Sequence, residues 1–141
     1  MVREGYDAVV YDLDGTLVRL PVDWEAVADD VADVLRAAGH AVPDGDAWAL
    51  LETADDAGLG DAAHEAIAAH ERSAAPESVR LPLADELRDL GLPAGICSLN
   101  EERAVRLALE AQDLSDAVSA VVGRGTFVGR DAIVGRGTLV R

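Results

Sequence analysis

Two aspartates one residue apart, Asp12 and Asp14, close an apolar run in "VVYDLDGTLV", residues 9–18. Carboxylates are poor strand formers and repel each other at short range, so this placement calls for a chemical reason. Gly15 and Thr16 follow at once, and the chain turns where the charges sit. Side chains at i and i+2 of a strand point to one side. At the carboxyl end of a parallel strand they point into the crevice where α/β folds bind ligands. One carboxylate can attack while the other moves protons. A carboxylate nucleophile suits phosphoryl transfer, because the aspartyl-phosphate it forms is split by water. Nucleophile and phosphate are both negative and need a cation between them, for which the hard, oxygen-liganded Mg²⁺ is the natural choice. The backbone N–H groups of Gly15 and Thr16 are placed to face phosphate oxygens.

The elements that must hold these residues follow from the pattern. "YDAVVYDL" (6–13) is a β-branched run without helical spacing and reads as a central strand. Residues 23–39 put Trp24, Val27, Val31, Val34 and Leu35 on one helical face and end at Gly39. Residues 44–59 and 61–75 give two more helices that open near aspartates, and Pro76 ends the stretch. A helix over 81–91 opens with Pro82, and "PAGICSLN" (93–100) is again a compact apolar strand. A helix over 101–114 and a strand over 116–123 complete the pattern. Strands alternating with helices imply a parallel sheet. The helices between about 23 and 76 are too many for one crossover and read as an insertion. The expected fold is thus α/β, a Rossmann-like parallel-sheet core (1–18 and 80–123) with an inserted helical cap (19–79). Residues 124–141 are an irregular tail, in which Val, Gly and Arg recur with a six-residue period from about residue 122. Three hexapeptides would close a single coil of a β-helix, too little to bury a core.

The stretch "YDLDGTLV" resembles the first motif of the haloacid dehalogenase-like superfamily, a hydrophobic strand followed by Asp-x-Asp-Gly-Thr. The resemblance implies that Asp12 is the nucleophile and a metal ligand. It makes Asp14 the general acid/base, lending its carbonyl to the same Mg²⁺, and it points to phosphatases, since dehalogenases proper lack the second acid. "GICSLN" is similar to the second motif, with Ser98 as the phosphate-binding hydroxyl and Asn100 as an auxiliary contact; Glu101, three residues after Ser98, also fits a capping box. The third motif supplies a cation, usually Lys, and this chain has no Lys. Arg124 is the stand-in, with Arg130 behind it. Asp131 faintly resembles the fourth, acidic motif, without its pair and too close to Arg124 for the usual intervening helix. The resemblance covers residues 6–123 and implies a Mg²⁺-dependent phosphohydrolase, similar to phosphoglycolate-phosphatase-like members, acting on a small phosphorylated metabolite. A catalytically impaired relative that binds phosphate or a protein is the alternative.

Composition bounds the setting. Acidic residues outnumber basic ones 27 to 12, every basic residue is Arg, and the net charge is −15. Such a surface repels nucleic acid and anionic lipid, so neither is an expected partner. The acid-rich, Lys-free composition is similar to that of proteins from salt-in haloarchaea, where salt screens self-repulsion. No apolar stretch reaches the length of a membrane span and the N-terminus carries no signal-peptide core, so a cytoplasmic location is expected. Cys97, the single cysteine, sits in an apolar run and is expected to be a buried structural thiol. His64 and His70 lack metal-ligand spacing, Trp24 and Trp48 are expected to pack the cap, and Arg19 is a solvated loop charge. Oligomeric state is not legible.

Overall fold

The computed structural model describes residues 5–126. In chain order the elements are β1 (Val9–Tyr11), β2 (Val18–Arg19), α1 (Trp24–Ala37), α2 (Ala47–Asp56), α3 (Gly60–Ala74), a 3-10 turn at Ala75–Glu77, β3 (Val79–Arg80), α4 (Leu83–Arg88), β4 (Ala94–Glu101), α5 (Glu102–Ala111), a 3-10 turn at Ser115–Ala117 and β5 (Ala120–Arg124). The chain divides into two compact units, Val22–Glu71 and the flanking segments Met1–Pro21 and Arg72–Arg141. Among the described residues no helix is long and apolar enough to cross a membrane.

The flanking unit is α/β. Its sheet has the order β1-β4-β5, with both pairings parallel. Tyr11 lies opposite Ile96, and Ile96 opposite Val121. The connection from β4 to β5 runs through α5, whose Ala104, Val105, Ala108 and Leu109 are buried. These residues recur at helical spacing, which is why this stretch folds as a helix with one apolar face. Ile96 is fully buried and Val121 nearly so, with Leu13, Leu17, Leu87 and Leu114 also in the core. β2 and β3 form a separate antiparallel pair of two residues each.

Several sequence expectations change here. The strand over 6–13 shortens to Val9–Tyr11, pairs on one side with β4 and forms the sheet edge among the described residues, so it is not central. The strand over 116–123 begins only at Ala120, after a 3-10 turn. Cys97 is exposed, not buried. Alternation explains this: Ile96, Ser98 and Asn100 are buried, while Cys97 and Leu99 are exposed, Leu99 to 82%. Val10 of β1 is likewise exposed. An apolar run suggests burial on both faces, whereas the described residues cover one face of β4.

The other unit is helical. The carboxylate of Asp23 accepts the N–H groups of Glu25 and Ala26 at the start of α1, and that of Asp46 accepts Ala49 N–H in α2. Val27, Val31 and Leu35 of α1 are fully buried and pack with Leu50, Leu51 and Ala54 of α2 and with Ala63 and Ile67 of α3. Trp24 and Trp48, expected to pack the cap, do so at the surface of this unit. They are 37% and 41% exposed and pack on each other, with ring centroids 5.5 Å apart. His70 of α3 meets Asp30 of α1 at 2.5 Å, and His64 lies 3.5 Å from Asp55 of α2. Both histidines thus serve as partly exposed contacts between helices.

Candidate active site

Asp12 lies one residue past the end of β1, at its carboxyl end, and is exposed. Its Oδ1 accepts the Leu13 N–H at 2.8 Å. Leu13 and Leu17 are fully buried and anchor the turn from below. The Leu13 carbonyl accepts N–H groups from Thr16, Leu17 and Val18, and the Gly15 N–H donates to Val18 O at 2.7 Å. Gly15 has φ +81, a left-handed conformation that a residue with a Cβ rarely adopts. The Asp14 Oδ1 accepts Leu20 N–H at 3.0 Å, so the second carboxylate closes the loop from the other side. Two roles read from the sequence change here. The N–H groups of Gly15 and Thr16, expected to face phosphate, are used inside the turn. These two residues act by holding the turn that carries Asp12 and Asp14.

Ser98 lies on the neighbouring parallel strand and is 9% exposed. Extending the register one step beyond Tyr11 and Ile96 sets Asp12 level with Cys97, one residue before Ser98. The Ser98 hydroxyl donates to Asn100 Oδ1 at 3.0 Å and accepts Asn100 N–H at 3.0 Å. The two residues read as phosphate contacts are therefore bonded to each other. The capping box between Ser98 and Glu101 does not form; Glu101 is itself the cap, its Oε2 accepting Ala104 N–H at 3.1 Å.

Arg124 ends β5 opposite Glu101, and its Nη1 donates to Leu99 O at 2.8 Å. The approach of β5 here depends on Gly123, where an added Cβ would lie 2.6 Å from Glu102 N and 2.7 Å from Asn100 O. Arg72, which no motif pointed to, donates from Nη1 to Glu101 Oε1 at 3.0 Å. Arg130, Asp131 and the rest of the repetitive tail after Thr126 lie outside the described residues. Among the described residues, no group of three or more His, Cys, Asp or Glu side chains could hold a metal ion. Asp12 and Asp14 remain a pair.

No family model matches the sequence, and no curated protein does. Solved structures do. A haloacid dehalogenase-like family hydrolase from Streptococcus pneumoniae superposes with a TM-score of 0.53 at 15% identity, over 94% of this chain and 68% of the other. A predicted phosphatase from Clostridium acetobutylicum superposes with a TM-score of 0.59 at 18% identity, again over 94% and 68%. The chain shares the fold of these two proteins. At these identities the likeness shows the fold alone.

Proposed function

We propose that the chain is a phosphohydrolase of the haloacid dehalogenase type, acting on a small phosphorylated metabolite through an aspartyl-phosphate. The observation that carries this reading is the placement of Asp12 and Asp14 on one tight turn at the carboxyl end of β1, with Asp12 exposed and oriented by Leu13 N–H. In the first step a carboxylate oxygen of Asp12 bonds to phosphorus and the ester P–O bond breaks. The leaving oxygen takes the proton of Asp14. In the second step Asp14 accepts a proton from water as the water oxygen attacks phosphorus. The P–O bond to Asp12 breaks, releasing inorganic phosphate and restoring the carboxylate. Ser98, Asn100 and Arg124 are proposed to contact the phosphate, with Gly15 and Thr16 shaping the turn.

Magnesium is the ion that the fold suggests, supplying charge neutralisation between nucleophile and phosphate when bound. Asp12 and Asp14 are hard oxygen donors of the right kind. Two carboxylates do not complete such a site, and the described residues add no third. A helical unit spanning Val22–Glu71 suits a cap of the phosphoglycolate-phosphatase-like kind. The charge of −15 supports a salt-rich cytoplasm.

A catalytically impaired relative that binds phosphate or a protein is the second reading. It is favoured by the hydrogen bonds that already occupy Ser98, the Gly15 and Thr16 N–H groups and Arg124. Turnover of an aryl phosphate in Mg²⁺ and molar KCl separates the two. Phosphohydrolase chemistry predicts activity that Asp12→Asn abolishes and that Asp14→Asn lowers by about 10²–10⁴-fold. Phosphate binding without turnover supports the second reading.

A further inference from the structure

Arg72 lies in the last turn of α3 and belongs to the sheet-bearing unit. Its side chain is 24% exposed and that of Glu101 23% exposed, and the two are joined at 3.0 Å. Glu101 immediately follows Asn100 in β4 and lies opposite Arg124, whose guanidinium is anchored on Leu99 O. Two guanidinium groups are thus anchored on residues 99 and 101 of one strand, directly after Ser98. A phosphoryl group in transfer spreads charge over three oxygens, and positioned cations supply much of its stabilisation. A guanidinium carries five N–H donors in a fork, which allows it to serve a carboxylate and a phosphate together.

We propose that Arg72, held by Glu101, binds the phosphate of the substrate as a second cation beside Arg124. The assignment rests on the phosphohydrolase reading and extends it to a residue outside the motifs. Glu101 is the positioning residue: one carboxylate oxygen caps α5 while the other orients the guanidinium. A purely structural ion pair would tie the end of α3 to α5 and nothing more. Breaking it from either side separates the two roles. Arg72→Met removes the cation, whereas Glu101→Gln removes the pair's negative charge and keeps an acceptor for Ala104 N–H.

The test is calorimetric titration of inorganic phosphate into the wild-type chain, Arg72→Met, Arg72→Lys and Glu101→Gln, at a KCl concentration that keeps all of them folded by thermal unfolding. Arg72→Met is expected to weaken phosphate binding by about tenfold or more. Arg72→Lys, a point charge without the fork, should weaken it by several-fold, and Glu101→Gln, which loosens the guanidinium but keeps the cation, should weaken it clearly less than Arg72→Met. Unchanged affinity in Arg72→Met, or equal weakening in Arg72→Met and Glu101→Gln, overturns the assignment while leaving the phosphohydrolase reading intact. A wild-type chain that binds no phosphate overturns both. Should Arg72→Met not fold, Arg72→Lys decides, with wild-type affinity counting against the proposal.

Discussion

At the scale of single residues, the site depends on two backbone positions as much as on its carboxylates. Gly15 permits the left-handed turn between Asp14 and Thr16, and Gly123 lets β5 approach the start of α5. The atoms that a methyl group on residue 123 would meet are backbone atoms, Glu102 N, Asn100 O and Glu102 Cα at 2.6–2.7 Å, and cannot swing aside. Gly123→Ala is expected to cost about 1–3 kcal/mol of stability, read as a lower denaturation midpoint at unchanged slope. Wild-type stability in that variant would show that the close approach is dispensable. The turn that carries Asp12 and Asp14 was legible because Gly15, the spacing and the end of an apolar run all agreed. Arg72 was not, because 29 residues separate it from Glu101 and neither carries a periodic signal. The partners of the Gly15 and Thr16 N–H groups were hidden for another reason. A turn's internal hydrogen bonds depend on its backbone angles, which residue types constrain only in part.

At the scale of elements, long amphipathic helices read well and short strands poorly. The helix expected over 23–39 forms over Trp24–Ala37, because three buried aliphatics at helical spacing and an Asp at the start agree. β2 and β3 are two residues each, too short to leave a pattern. The reading of Cys97 as buried failed because an apolar run records only that burial is tolerated. Which face a neighbour covers is decided by other elements. The caps make a direct prediction. Asp23 serves two N–H groups of α1, so Asp23→Ala should lower stability by about 1 kcal/mol and Asp23→Asn by much less. Urea unfolding of both variants checks this, and equal loss in the two would point to charge rather than capping.

At the scale of the whole molecule, charge dominates. With 27 acidic and 12 basic residues the compact chain repels itself, and a Debye length of about 10 Å at 0.1 M falling to about 3 Å at 1 M removes most of that repulsion. Thermal midpoints should therefore rise steadily from low to molar KCl, whereas a flat or falling series would count against a salt-adapted surface. The α/β class was legible from the alternation of strand and helix patterns. The second boundary of the helical unit leaves no mark in the sequence, because helix α3 runs through it without a break in pattern.

In the proposed reaction Asp12 carries the phosphoryl group. The most direct test is mass spectrometry of the chain quenched in acid during exposure to an aryl phosphate with Mg²⁺ and high KCl. A phosphoryl adduct is expected on the peptide containing Asp12, absent from Asp12→Asn and longer-lived in Asp14→Asn. Turnover with no adduct on Asp12, or with an adduct that persists in Asp12→Asn, would contradict this assignment.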